Sequence, residues 1–554
     1  MAASVDPARL VKRYERLKQR RSTVDVRQQE LAEHIIPHKA VITIDRFEGE
    51  DMTEKVWDST AIHANELLAS SIQSSLMSDL WFALGLRGTP DTMKDVTDWL
   101  EQVTERMLQA QKQSNFNAEH GELCLDIGAF GIGCLFIEEK KRGVGEGFGG
   151  MRYQCIAPGS YAIAENAEGR VDTLFREYKM SAVQMAEEFG EDALPEPVRT
   201  ALPERPDHEF DVVHAVYPRV GSRAVKKGAK FMPFASCYIE KRTKTLLRES
   251  GFEEFPFCVP RWSKTSGEVY GRGPGHTAMP DIRVLARVKE LTLSSASKAI
   301  DPPGLVNSDA VFGELELRPS SQNPVEGEPS KAWAPMESGA KFDVGNLIIA
   351  DLRASIQHIF FWEQLQLQGE RVMTATEVER RLELMRRVLG PTLGRFESEL
   401  LNPELQRQFG IMLRAGALPP IPEALSGQDI DIEYKGPLAR SQKTARLAAF
   451  DEVFQKIQLI AQIDPQAAIK ALDNFDLDAL IRDQASVAGL RSEDLTSIDY
   501  RKKVRDARNE QQQQAAKLNA GTQLAEAAGK VLPHLPALRD AMGGANGAPT
   551  GKAA

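Results

Sequence analysis

Apolar residues recur at helical spacing from the start of the chain. Leu10, Tyr14 and Leu17, then Leu31 and Ile35, predict an amphipathic helix over residues 6–36, with a basic stretch between the two groups and Pro37 ending it. A second helix is predicted after Trp57, with Asp58-Ser59-Thr60 as its cap region and Ile62, Leu67, Leu68 and Ile72 as its apolar stripe. Met93–Gln113 and Asn117–Ile127 read as a third and a fourth. The fourth runs into Gly128-Ala-Phe-Gly131-Ile-Gly133, read as a tight helix-to-strand turn. The texture then changes. Residues 133–180 and 210–262 carry short β-rich runs such as CLFIEE, TLFREY, FDVVHAVYPRV and ASCYIEK.

From Pro280 the pattern is helical again. Asp281–Lys298 contains neither proline nor glycine, and Ile282, Leu285, Val288 and Leu291 recur on one side, opposite Arg283, Arg287 and Glu290. Such a helix spans roughly 27 Å. Residues 301–342 hold six prolines and two strand-like runs, AVFGELEL and KAWAPM. Val344–Leu367, rich in Ile, Phe and Trp, predicts a second helix of similar length. After Gly369, Thr374 and Glu377 match a capping box, in which each side chain satisfies the other residue's free backbone N–H. A long charged helix should run from there to about Leu413, kinked at Gly390-Pro391. Residues 439–486 read as at least two further helices. The last 50 residues are rich in Gln, Ala and Gly and offer little apolar area to bury. The expected class is α+β, mainly helical.

The chain has 554 residues, enough for several domains, and a net charge of −10 from 79 acidic and 69 basic residues. A protein that grips DNA through its phosphates should be basic, so any DNA met by this chain should be lined rather than held. The five cysteines form no CxxC pair and read as reduced thiols of a cytoplasmic protein. The N-terminus lacks the apolar core of a signal peptide, and no apolar run approaches the ~20 residues of a membrane helix. No membrane partner is expected.

Motifs for chemistry are missing. Nothing reads GxxxxGK[ST]; the nearest match, GAPTGKAA at the end, has the wrong spacing and lacks the Ser/Thr that would hold magnesium. The Gly128–Gly133 segment has GxxGxG spacing and follows a helix, unlike a dinucleotide fingerprint. His208 and His214 lie in HEFDVVH, a strand-like run rather than a helical HExxH. There is no GxSxG. The expectation is no enzyme, no catalytic residue, no metal and no cofactor.

Several segments, in order, resemble the head-to-tail connector (portal) family of short-tailed bacteriophages, the podoviruses. RYERLKQRRSTVDVRQQELAEHIIP is similar to the family's opening, and VWDSTAIHANELLASSIQSSLMSDLWFALGL to the stretch after it, with Met77-Ser78-Asp79 replacing a proline-containing run. PFCVPRWSKTSGEVYGRGPG, DIRVLARVKELTL and QGERVMTATEVERRLELMRRVLGPTLGRFESELLNPEL are similar to later family segments. The resemblance covers roughly residues 8–500.

It implies a portal fold: a wing over 1–268, a first stem helix over 269–300, a clip over 301–342, a second stem helix over 343–367, a tunnel loop over 368–374, a long kinked wing helix over 375–418, a helical crown over 419–500 and a C-terminal tail over 501–554. It implies a homododecameric ring at one capsid vertex through which double-stranded DNA is packaged and ejected. The implied partners are other copies of the chain, the terminase large subunit, tail adaptor proteins, and scaffolding and major capsid proteins, in the virion and, during assembly, the host cytoplasm. Gln366, Gln368, Glu370 and Arg371 are the candidate tunnel-loop residues facing DNA. Ile282, Leu285, Val288 and Leu291 are the candidate stem-packing residues, and Leu305, Phe312, Leu315 and Trp333 the candidate clip surface. The alternatives are an ATP-using DNA-packaging or processing enzyme, or another capsid-associated ring or scaffold protein.

Overall fold

A computed structural model of the chain describes residues 5–47, 49–77, 81–86, 94–140, 147–219, 231–300, 304–306, 333–335, 342–365, 390, 392–425 and 430–434, with short stretches between 453 and 511. They divide into two compact units. One comprises Met1–Gly85, Leu100–Ile421 and Asp429–Ala449; the other comprises Leu86–Trp99, Pro422–Gln428 and Phe450–Ala554. Of the second, only short helical pieces are described, such as 453–459 and 503–508.

The first unit opens on helix α1, Pro7–Ile35. Asp6 caps it by accepting from the Ala8 and Arg9 backbone N–H groups at 3.0 and 3.3 Å, and Pro7 takes a first-turn position where its missing N–H is not needed. The predicted apolar groups, Leu10 and Tyr14 and then Leu31 and Ile35, are buried. One residue of the basic stretch between them is buried too. Arg21 donates to Asp25 at 2.7 Å and Gln28 at 2.9 Å, and lies over the rings of Tyr161 and Tyr270.

α1 lies on a five-stranded antiparallel sheet of β4 (Tyr161–Glu165), β5 (Val171–Ser181), β6 (Glu209–Pro218), β7 (Phe234–Glu240) and β8 (Thr245–Phe252), paired in that order. Strand side chains alternate between faces, so one register sorts the whole sheet. Phe175, Ala215 and Cys237 are aligned across β5, β6 and β7, and they pack with Leu10, Val11 and Tyr14 of α1. The opposite face presents Val212, Tyr238 and Leu247 to Met185 of α5 (Ala182–Phe189) and Val198 of α6 (Glu196–Glu204). A capping box between Ser181 and Gln184 starts α5 directly from β5.

Glu177 pins α1 to the sheet. It accepts from Tyr14 Oη at 2.7 Å and Lys18 Nζ at 2.8 Å, and also pairs with Lys241. Burial alone would raise its pKa, but the bonds from Lys18, Lys241 and Tyr14 outweigh it and hold the carboxyl at about 2, from an ordinary 4.5. A carboxyl whose folded pKa is depressed contributes stability above the unfolded value, and that contribution is lost as pH falls through the window from about 4.5 to about 2. Glu177→Gln should therefore lower the melting temperature at pH 7 and flatten its fall on acidification. An unchanged slope across that window would remove Glu177 from the acid response.

Helices α2 (Thr60–Leu76), α3 (Lys94–Lys112) and α4 (Phe116–Phe130) fall within a few residues of the predicted spans. α4 ends at Gly131, whose φ of 68° lies in the left-handed region, and the chain enters β2 (Leu135–Glu139) four residues on. β2 is central in a second sheet, between β3 (Met151–Cys155) and β9 (Phe257–Cys258). The tight turn expected at Gly128–Gly133 is present, and it is also a crossing point. The backbone of Gly271 and Gly273 passes so close to Gly131 that no side chain would fit on any of the three.

The predicted helix at Asp281 begins earlier. α7 spans Pro274–Ile300 with Pro280 inside it, because residues 274 and 275 bury against α4 and extend the helix N-terminally. Short strands β10 (Gly304–Val306) and β11 (Trp333–Pro335) pair antiparallel within the insert. The second long helix, α8, spans Phe342–Ile359 and stops short of the predicted Leu367. Phe361 adopts φ 60°, and the turn leaves Phe360 fully buried while Phe361 stacks at 6.1 Å on Trp262; a four-residue helix, α9 (Trp362–Leu365), follows. Burial of Phe360 and stacking of Phe361 on Trp262 thus override helical continuation. The predicted kink at Gly390-Pro391 lies at the edge of the described residues. Beyond it the helix contains a π-helical turn, Glu397–Leu401, leading into α10 (Asn402–Arg414). Strand β12 (Ile430–Tyr434) pairs with β1 (Phe82–Leu86) in the region expected to be helical crown.

All five cysteines are free. Cys124, Cys134, Cys237 and Cys258 are buried and Cys155 is half-buried. Burial pushes the Cys124 thiol up to about 12 and the Cys155 thiol well above its ordinary value.

Candidate assembly surface on the paired long helices

α7 and α8 run antiparallel. Ser355 Oγ donates to Asp281 at 2.7 Å near one end, and Gly345 lies against Thr292 near the other. One side of the pair is committed to its own chain. Ala278, Met279, Ile282 and Leu285 of α7 are buried, as are Ile349 and Ile356 of α8. Ile282, Leu285 and Ile356 line a small space together with Trp57 and Ala61 at the start of α2.

Asp58 clamps that side. Its carboxylate accepts from the Thr60 backbone N–H at 3.0 Å and from Arg353 of α8 at 2.7 Å, with Lys289 of α7 at 3.4 Å. Burial opposes ionisation, yet the bonds from Thr60 and Arg353 outweigh it and hold the carboxyl at about 2. One carboxylate thus joins the α2 cap to both long helices. Arg283 pairs with Glu30 of α1, and Arg287 with Glu290 on its own helix.

Elsewhere on the pair, large apolar side chains are left exposed among the described residues. Val284 and Leu291, one heptad apart and opposite Ile282 on α7, are 49% and 50% exposed; Leu293 and Ile300, in line with Ile282 but nearer the C-terminal end of α7, are 53% and 85% exposed, and Leu347 of α8 is 73% exposed. Large aliphatic side chains along a helix pair at this exposure form a patch of the kind that marks an interface.

The four predicted stem residues therefore divide. Ile282 and Leu285 pack inside the chain, Val288 is half-buried, and Leu291 faces outward. Leu305 and Trp333 fall on β10 and β11, at adjacent register positions: Leu305 opposes Ala334 and Val306 opposes Trp333. Phe312, Leu315, Gln366, Gln368, Glu370 and Arg371 lie outside the described residues. Sequence reasoning overlooked Asp58 and Arg353 as partners and Leu293 and Leu347 as surface. The last two were visible as apolar residues off the predicted stripe. The Asp58–Arg353 pair joins residues far apart in the chain and has no local signal.

Among the described residues no group of His, Cys, Asp and Glu is arranged to hold a metal, and no helix is long and apolar enough to cross a membrane. His214 is fully buried: its Nδ1 accepts from Arg176 at 3.1 Å and its Nε2 meets Ser236 Oγ at 2.9 Å.

Comparison with known proteins gives a consistent result. The chain is 28% identical over 548 residues to a probable portal protein of Bordetella phage BPP-1, covering 96% of this chain and 97% of that one. It is 29% identical over 548 residues to the portal protein of Salmonella phage epsilon15, covering 95% of each. It is 23% identical over 410 residues to the portal protein of Escherichia phage T7, covering 71% of each. Among solved structures, the neck of a native GTA particle computed with C12 symmetry matches 71% of this chain and 88% of that one, at 13% identity and a TM-score of 0.33. The profile of the bacteriophage head to tail connecting proteins matches residues 8–495, nearly the whole chain, and the chain belongs to that family.

Proposed function

We propose that the chain is a portal subunit whose copies close into a ring, expected to be a homododecamer, at one vertex of the capsid. Double-stranded DNA passes through its channel during packaging and ejection. The clip docks the terminase large subunit and later the tail adaptors, while scaffolding and major capsid proteins surround the ring. The carrying observation, beside the family, is the set of apolar side chains on α7 and α8 left exposed among the described residues. Fully burying a leucine-sized side chain is worth about 1.5–3 kcal/mol, so Val284, Leu291, Leu293 and Leu347 repeated at every subunit boundary supply a strong drive to self-associate. A second copy of the chain, with the same helices, is the partner this surface fits.

The purified chain should sediment as a large oligomer and appear in negative stain as a ring with a central hole. Leu291→Glu combined with Leu347→Glu should reduce it to monomer while leaving the monomer's melting temperature within a few degrees, because both side chains are at least half exposed in the subunit. Leu285 is a poorer probe, since a carboxylate there would be buried in the subunit itself. A wild-type chain that stays monomeric, or a double variant that still forms rings, would reject the interface.

The run Gln364–Arg371 is assigned to the channel wall. Glutamines offer phosphates hydrogen bonds without a strong electrostatic trap, and Arg371 offers one transient contact. Changing Gln366, Gln368 and Arg371 to Ala should leave rings intact and alter DNA retention or packaging yield. Unaltered packaging by such rings would remove the loop from the DNA path.

A further inference from the structure

A cleft of about 830 Å³ lies between the two sheets of the first unit. Gln154 of β3, Arg176 and Tyr178 of β5, Tyr238 of β7 and Arg248 of β8 line it, with Arg152 and Lys140 also on its wall. Its cations are unequally served. Arg152 pairs with Glu138 at 2.7 Å and Arg248 with Glu188 at 2.8 Å. Arg176 is 9% exposed, and no carboxylate pairs with it among the described residues. Its Nε donates to His214 Nδ1 at 3.1 Å and one Nη to Gln154 Oε1 at 3.2 Å, both neutral acceptors. Its flat faces meet Phe136 at 4.6 Å and Tyr178 at 5.0 Å.

A guanidinium held this deep is normally matched by an anion, because a buried charge without a counter-charge is costly. Burial and the charges of Arg176 and Arg248 keep His214 neutral, so the histidine adds an acceptor and no compensating charge. The second Nη of Arg176 has no hydrogen-bond partner among the described residues, and Arg176 lines the cleft beside Tyr178 and Tyr238. A single guanidinium edge suits a carboxylate. A phosphate dianion would call on further cations, and Arg152 and Arg248 on the same wall are already neutralised by Glu138 and Glu188.

We infer that this cleft binds an organic monocarboxylate, its carboxylate on Arg176 and its apolar body against Tyr178 and Tyr238. Isothermal titration of the full-length chain with phenylbutyrate, phenylbutyramide and inorganic phosphate tests it. Phenylbutyrate should bind once per chain, and at least tenfold more tightly than the uncharged amide or phosphate. Arg176→Met should abolish that preference, and Arg176→Lys should retain part of it. If Arg176→Met does not fold, the acid-against-amide ratio on the wild-type chain decides alone. Equal binding of acid and amide, tighter binding of phosphate, no binding, or an undiminished preference in folded Arg176→Met would each overturn the assignment.

Discussion

Replacing Gly131 by alanine should destabilise the chain by at least about 3 kcal/mol, among the largest effects of any single methyl group in this fold. Two costs add. The residue sits at φ 68°, and a non-glycine residue in the left-handed region costs roughly 1–2 kcal/mol. An added Cβ would also lie 2.1 Å from the Gly273 backbone nitrogen and 2.3 Å from the Arg272 carbonyl carbon, main-chain atoms that cannot rotate away. The two contributions can be separated. Gly416, in the turn that closes α10, has φ 69°, and nothing lies within 4 Å of where its Cβ would be, so Gly416→Ala carries the conformational cost alone and should lose about 1 kcal/mol. Urea midpoints of both variants measure the difference. A Gly131→Ala chain no less stable than Gly416→Ala would show that the glycine crossing yields at little cost.

The second large effect is expected at Arg261, which is 1% exposed. Its guanidinium is shared by Glu399 on the π-helical turn and Glu165 at the end of β4, and it also donates to the carbonyls of Val269 at 3.0 Å and Gly169 at 3.2 Å. Glu399 accepts from the Arg261 backbone N–H as well, at 3.0 Å. Arg261→Met removes the cation and leaves two largely buried carboxylates. Lys264, 2.6 Å from Glu165, still serves that one, so Glu399 suffers most. Breaking a buried pair from one side costs about 3–5 kcal/mol. Adding Glu399→Gln to Arg261→Met should restore part of the loss, since the stranded charge is then gone. A double variant as unstable as the single one would mean that packing of the arginine, rather than charge, dominates.

These two sites also show where sequence reading reaches its limit. The starts of α1 and α2 were legible because they rest on neighbours: Asp6 beside Pro7, and Asp58 beside Thr60, act within a turn. The strands of the large sheet were legible from short β-rich runs, and strict alternation then assigns each side chain to a face. The pairing of β2 with β9 has no comparable signal, because it joins residues about 120 positions apart along the sequence. Arg261 reads as one more surface cation until Glu165 and Glu399 are brought to it from opposite sides in sequence. The break at Phe360-Phe361 carries neither glycine nor proline and follows from where two rings find room. Helical spacing groups Leu285 with Leu291, but only tertiary packing decides that one is buried within the subunit and the other left outside.

The five free cysteines give the chain a set of internal clocks. Four are sealed within α4, the lead into β2, β7 and β9, and the fifth, Cys155, closes β3 with its thiolate disfavoured by burial. A thiol reagent reacts with the thiolate, so modification must wait for local opening. The rate at which each cysteine is labelled, followed by mass spectrometry of the digested chain, therefore reports how often its own element exposes itself. Because the five lie on both sheets and on α4, one labelling series would rank the order in which the subunit loosens, without any engineered probe.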